Sequence, residues 1–121
     1  MMTKDDYLAY CREMGGALAD QPFSEDFDTW VLRHENTGKW FGIIMFHGGR
    51  WLVNLKCDPM EAELLRKLYE GVQPAYHMNK RCWNSVYFRS DVPDEELLRM
   101  TQNSFALTAK KLRARKRPKD E

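Results

Sequence analysis

Between residues 29 and 56 the chain passes twice from an apolar or alternating run into a glycine-containing turn and back. Residues 29–34 lead to Asn36-Thr37-Gly38, residues 40–46 lead to His47-Gly48-Gly49, and residues 50–56 follow. Runs rich in aromatic and β-branched side chains, too short for helices and separated by turns whose glycines accept positive φ, specify a β-meander. In the third run Trp51, Val53 and Leu55 alternate with Arg50, Leu52, Asn54 and Lys56. In the first, Trp30 and Leu32 oppose Thr29, Val31 and Arg33. A period of two sends each set to its own face. An antiparallel sheet with one covered face and one wetter face is therefore expected over residues 29–56. Residues 40–46 are apolar on both faces, as suits a central strand.

Helical spacing brackets this meander. Thr3 is placed to cap a first helix, with Asp6 three residues on, and Gly15-Gly16 to stop it. Tyr7, Leu8, Cys11 and Met14 share one face of that helix. Residues 22–28 read as a loop. Asp58-Pro59 opens a second helix, an acidic cap followed by proline at the first helical position. Its buried stripe is expected to be Met60, Leu64, Leu65 and Leu68, and its end Gly71. A loop over 72–82 carries the chain to a short fourth strand near 83–88. Pro93 and the acids from Asp91 to Glu96 begin a third helix, continued by Leu97, Leu98, Thr101, Phe105, Thr108 and Leu112. The fold class is α+β: an antiparallel sheet of about four or more strands backed by helices, in the order α-β-β-β-α-β-α. Trp51, Leu55, Leu64, Leu68 and Phe105 are expected to meet in its core.

A length of 121 residues, 43% of them hydrophobic, suits one domain with a core of its own. No apolar run approaches the roughly 18 residues that a bilayer span needs. Asp5 and Asp6 stand where a signal peptide would carry positive charge, so a cytoplasmic location and no membrane association are expected. Cys11, Cys57 and Cys82 are an odd number at no metal-binding spacing and read as reduced, mostly buried thiols. A site built from Cys57, His77 and Cys82 is the alternative, against the four ligands that structural zinc normally takes. No metal or other cofactor is expected. Residues 110–121 hold seven of the 19 basic residues, including Lys110, Lys111 and Arg113. Residues 1–109 keep twelve basic against sixteen acidic residues, a balance of −4. A single domain over 1–109 thus carries a basic C-terminal tail over 110–121. Such a tail suits both the negative end of a helix and the attraction of phosphate.

Residues 55–86 resemble the signature of the MmcQ/YjbR family. Leu55-Lys56-Cys57 with Asp58-Pro59, then Tyr76-His77-Met78-Asn79-Lys80 followed by Trp83-Asn84, carry the likeness. Residues 92–97 and Ser104-Phe105 are similar to that family's last helix, where Ser-Tyr is the commoner pair. The resemblance implies an antiparallel sheet backed by helices, similar to secretion-chaperone-like folds. It also implies a DNA-binding protein of the double-wing type. The basic tail lies outside the pattern.

His77, Asn79, Lys80, Arg81, Trp83 and Asn84 fall within eight residues on a loop entering a strand. Lys80, Arg81 and Lys56 could neutralise phosphates, the asparagines could bond phosphates or base edges, and Trp83 could stack. The same residues also have structural uses: Trp83 in the core, His77 on a buried carbonyl, the asparagines capping turns. No phosphate loop, dinucleotide fingerprint, zinc-protease motif or nucleophile elbow occurs. A pairing of Cys57 or Cys82 with His77 would lack an orienting third group, so the chain is not expected to be an enzyme. Two readings follow, a DNA-binding module or a protein-interaction module that docks through the open sheet face. The first expects a contiguous basic patch of Arg33, Arg50, Lys56, Lys80 and Arg81. The second expects exposed apolar area around Val31 and Leu52.

Overall fold

The computed structural model describes residues 1–109, and the tail residues Lys110, Lys111 and Arg113 lie outside them. Three helices, α1 (Lys4–Arg12), α2 (Pro59–Leu68) and α3 (Asp94–Thr108), accompany six strands. The strands are β1 (Ala17–Asp20), β2 (Trp30–His34), β3 (Trp40–His47), β4 (Arg50–Lys56), β5 (Val72–Pro74) and β6 (Trp83–Tyr87). They form one sheet in the order β1-β2-β3-β4-β6-β5, with every neighbouring pair antiparallel. The meander expected over 29–56 is its centre. The two strands without a sequence signal are the edges: β1 has no β-branched residue, and β5 is three residues ending in Pro74. Proline is tolerated at such an edge because only one side of the strand needs its N–H groups. No helix of the described residues is long and apolar enough to cross a membrane.

Local chemistry sets the element ends. At α1 the Thr3 hydroxyl accepts from the Asp6 N–H while the Asp6 carboxylate accepts from the Thr3 N–H, both at 3.1 Å. This capping box starts the helix where the sequence placed it. Gly48 and Gly49, at φ +62° and +77°, make the two-residue turn between β3 and β4. α2 begins as expected, with the Asp58 carboxylate accepting from the Met60 N–H, but ends at Leu68, before Gly71. Beyond it the N–H groups of Glu70 and Gly71 donate to the Asp91 carboxylate at 2.8 and 2.7 Å, which holds that carboxyl below its ordinary range. A side chain at Gly71 would put its Cβ 2.1 Å from Ser90 Oγ, so this close approach demands glycine.

The helices cover one face of the sheet. Tyr7, Leu8 and Cys11 of α1 and Leu97 and Met100 of α3 pack on Leu32, Ile44, Val53, Leu55 and Val86. Thr101 donates its hydroxyl to the Leu97 carbonyl and receives the Tyr7 hydroxyl at 2.7 Å, tying α3 to α1. Of the expected core, Leu55 is buried, while Trp51 and Phe105 are half-buried against it. Leu64 and Leu68 are not core: they are 54% and 59% exposed, and Met60 is 82% exposed. α2 turns Ala62, Leu65 and Arg66 toward the sheet instead. Arg66 donates to the buried Asn84 side chain at 2.6 Å and to the carbonyls of Lys80 and Trp83. Those bonds fix the rotation of the helix and leave the Met60-Leu64-Leu68 stripe outside.

The second face is not wet. Val31 and Leu52 are fully buried, which removes the apolar docking area expected around them. The chain around Tyr76 is fastened to this face through a closed set of bonds. Asn54 donates to the Tyr76 carbonyl at 2.9 Å, Ser85 donates to Asn54, and the Tyr76 N–H donates to Ser85 at 2.9 Å. Asn54 and Ser85 are cross-strand partners, both almost wholly buried.

Candidate functional site

β4 and β6 run antiparallel, so Lys56 at the end of β4 lies opposite Trp83 at the start of β6. The loop before Trp83 is therefore held at this edge of the sheet, the edge where β2 ends and β3 begins. Within the loop the Asn79 carboxamide accepts from the Arg81 N–H at 2.9 Å, and the Asn79 carbonyl accepts from the Trp83 N–H at 3.0 Å. Lys80 reaches back to the Ala75 carbonyl at 2.8 Å. Arg66 clamps the loop from α2 by its bonds to Lys80 and Trp83.

This arrangement sorts the candidate residues. Asn84, 2% exposed and bonded to Arg66 and the Ala62 carbonyl, is structural, and Asn79 spends its side chain on the turn. Trp83 is half-buried beside Lys56. Lys80, Arg81 and His77 are exposed, and Lys56 is half-exposed with its N–H bonded to the Ser104 hydroxyl at 2.9 Å. The Ser104 hydroxyl in turn donates to the Phe41 carbonyl, so Ser104 anchors α3 to two strand ends. One turn later Thr108 lies 2.9 Å from His34 Nε2, which brings the last described turn of α3 to the same sheet edge.

The five-residue basic patch does not form. Lys56, Lys80 and Arg81 gather at this edge. Arg50 begins the strand that Lys56 ends, and six residues at about 3.3 Å each put it about 20 Å away. There its guanidinium lies over Tyr87, 4.4 Å from the ring centre. Arg33 is tied to Asp20 at 3.1 Å.

Cys11 and Cys57 are buried thiols held in their protonated form. Burial pushes the Cys57 thiol up to about 11, with the Glu61 charge adding to it, and burial pushes Cys11 up to about 12. Cys57 and Cys82 meet through their backbones, the Cys57 N–H donating to the Cys82 carbonyl at 2.8 Å. Among the described residues no group of three or more His, Cys, Asp and Glu side chains is placed to hold a metal ion.

A cleft that the sequence did not reveal opens on the loop-covered face. It has a volume of about 330 Å³, with Ile43 and Met45 in its floor and Phe23, Trp40, Tyr76 and His77 among its walls. Trp40 faces it because of a bulge: Leu32 pairs with Gly42 but Arg33 pairs with Trp40, so Phe41 is an extra residue in β3. Phe41 turns to the helix side, 5.0 Å from the Phe105 ring, and Trp40 turns to the cleft side, 6.4 Å from Phe23. A bulge leaves no mark in residue alternation that a central apolar strand would display.

A family model described as YjbR matches residues 12–107. The chain is similar to the uncharacterized protein YyaQ of Bacillus subtilis, with 32% identity over 89% of this chain and 99% of that one. It is similar to the uncharacterized protein YjbR of Escherichia coli K12, with 31% identity over 86% and 85%. A crystal structure of a Pseudomonas syringae protein superposes with a TM-score of 0.81 at 28% identity, covering 89% of this chain and all of that one. A crystal structure of a Deinococcus radiodurans protein superposes with a TM-score of 0.79 at 29% identity, covering 94% and 85%.

Proposed function

The chain belongs to the YjbR family, and from that premise we propose that it is a non-catalytic nucleic-acid-binding module that grips phosphate at the sheet edge bearing Lys56, Lys80 and Arg81. The observation that carries this reading is that Lys80 and Arg81 stand on a loop whose backbone is fixed by Arg66, Asn79 and the β4–β6 pairing, at the sheet edge where Lys56 ends β4. A loop held in this way loses little backbone freedom on meeting a phosphate, and such contacts position a protein on nucleic acid without reading its sequence. The seven basic residues of 110–121 follow α3 in sequence and add their charge to the chain after the turn that is bonded at this edge. The balance of −4 over residues 1–109 opposes phosphate and keeps the affinity modest.

Titration of the intact protein and of the double variant Lys80→Ala/Arg81→Ala against one random-sequence duplex, at low and moderate salt, tests the reading. Each phosphate neutralised contributes about 0.9 to the slope of log affinity against log salt. The double variant should bind more weakly and lose up to about two such contacts. Absence of binding by the intact protein at low salt would remove the nucleic-acid reading. The exposed Met60-Leu64-Leu68 stripe of α2 supports the second reading, a protein-docking module, which that result would favour.

A further inference from the structure

The lining of the cleft beneath His77 has a specific chemistry. One wall is Phe23 and Trp40, edge to face with rings inclined at 80°. The other is Tyr76, stacked 3.8 Å from the His47 ring and tilted by 44° to the His77 ring at 4.0 Å. Tyr76 is thus held between two imidazoles, while its backbone is bonded to Asn54 and Ser85. His77 stands in the left-handed region at φ +63°, a conformation a non-glycine residue adopts only when its surroundings enforce it. Here it directs an exposed aromatic ring to the mouth of the cleft.

We propose that this cleft takes one unpaired base of a single-stranded nucleic acid, stacked against Trp40, with the flanking phosphates lying toward Lys39 and Lys80. The inference rests on the phosphate-directed reading above and narrows it to a strand whose bases are free. A volume of about 330 Å³ stands at the small end of ligand sites and suits a single ring system. Every base has a π-face, so an aromatic-walled cleft holds bases of any identity. A base in a duplex has both faces stacked and cannot enter. The cations are close in sequence to the walls: exposed Lys39 precedes Trp40, and exposed Lys80 stands two residues after Met78, another lining residue. The Asp26 carboxylate on the rim accepts from Thr29 and Asp28 and is held below its ordinary range, so it stays ionised. Its charge keeps phosphate out of the cleft and leaves the opening to a neutral ring.

Three probes of equal length decide the matter: a short deoxyadenosine oligonucleotide, the corresponding abasic backbone, and a duplex. The intact protein should bind the base-bearing strand about ten-fold tighter than the abasic one, as loss of one stacking contact implies. Trp40→Ala should abolish that preference while leaving affinity for the abasic strand unchanged. His77→Gly removes a wall ring at a position whose backbone glycine accepts, so it should reduce the preference in a protein that still folds. Equal affinity for base-bearing and abasic strands, or tighter binding to the duplex than to the single strand, would overturn the cleft proposal and leave phosphate binding standing. No binding to any of the three would overturn both.

Discussion

Arg66 lies on a helix face that apolar periodicity assigns to solvent, yet it makes more of the tertiary structure than Leu64 or Leu68. A guanidinium presents its donors in a rigid planar fork. Those donors satisfy the Asn84 side chain and two carbonyls of a loop that has little regular structure of its own. His34 works at the same scale on the same helix-covered face, against α3. It is 4% exposed, stacked 4.1 Å from the Phe105 ring, with Nε2 2.9 Å from Thr108. Burial disfavours its charged form, and the Lys39 charge acts in the same direction, so its pKa lies below the ordinary 6.5 despite an opposing bond to the Phe105 carbonyl. The unfolded chain then takes up a proton at higher pH than the folded one. Stability should be full above about pH 6.5 and fall as pH drops below it. Urea denaturation at pH 7.5 and 5.5 should show this loss, and a His34→Phe variant should lose less between the two. An equal loss in both proteins would assign the pH dependence to other groups.

Among the elements, α2 tests the rotation of a helix against its sheet. Met60, Leu64, Leu65 and Leu68 form an apolar stripe by spacing, but only Leu65 is buried, at 2% exposure. Leu65→Ala should cost about 2–5 kcal/mol, as emptying a closed core site does. Leu64→Ala, at an exposed site, should stay within about 0.5 kcal/mol. Denaturation midpoints of the two variants check the assignment, and equal losses would contradict it. β3 makes a related point about strands. One extra residue sends Phe41 to the helices and Trp40 to the opposite face, which supplies the core and the cleft with one aromatic ring each.

At the level of the whole molecule, charge is arranged rather than abundant. A net charge of +1 conceals an acidic body followed by seven basic residues. Lys56, Lys80 and Arg81 share a sheet edge with the last described turn of α3, while Arg50 is held at the far edge. A protein truncated after residue 109 should show a flatter dependence of DNA affinity on salt than the intact chain, because fewer counterions are released. Salt titrations of the two proteins against one duplex measure this directly. An unchanged slope would leave phosphate binding to Lys56 and the 77–84 loop alone.

The sequence determined the elements whose signals are local. Gly48-Gly49, the Thr3–Asp6 box and Asp58-Pro59 each act through neighbours in the chain, and each stands where it was expected. The family pattern at Tyr76–Asn84 was also legible, as were the cations Lys56, Lys80 and Arg81. What the tertiary structure alone decided depends on partners far apart in sequence. Arg66 meets Asn84 and Asn54 meets Ser85, so Asn84, which could have been a ligand for nucleic acid, helps hold the loop in place instead. β1 and β5 are short strands that form because β2 and β6 offer them free edges. The bulge at Phe41, and with it the cleft, arises from pairing between strands. Alternation within a strand records the two faces of a sheet, and only pairing records which residues share one.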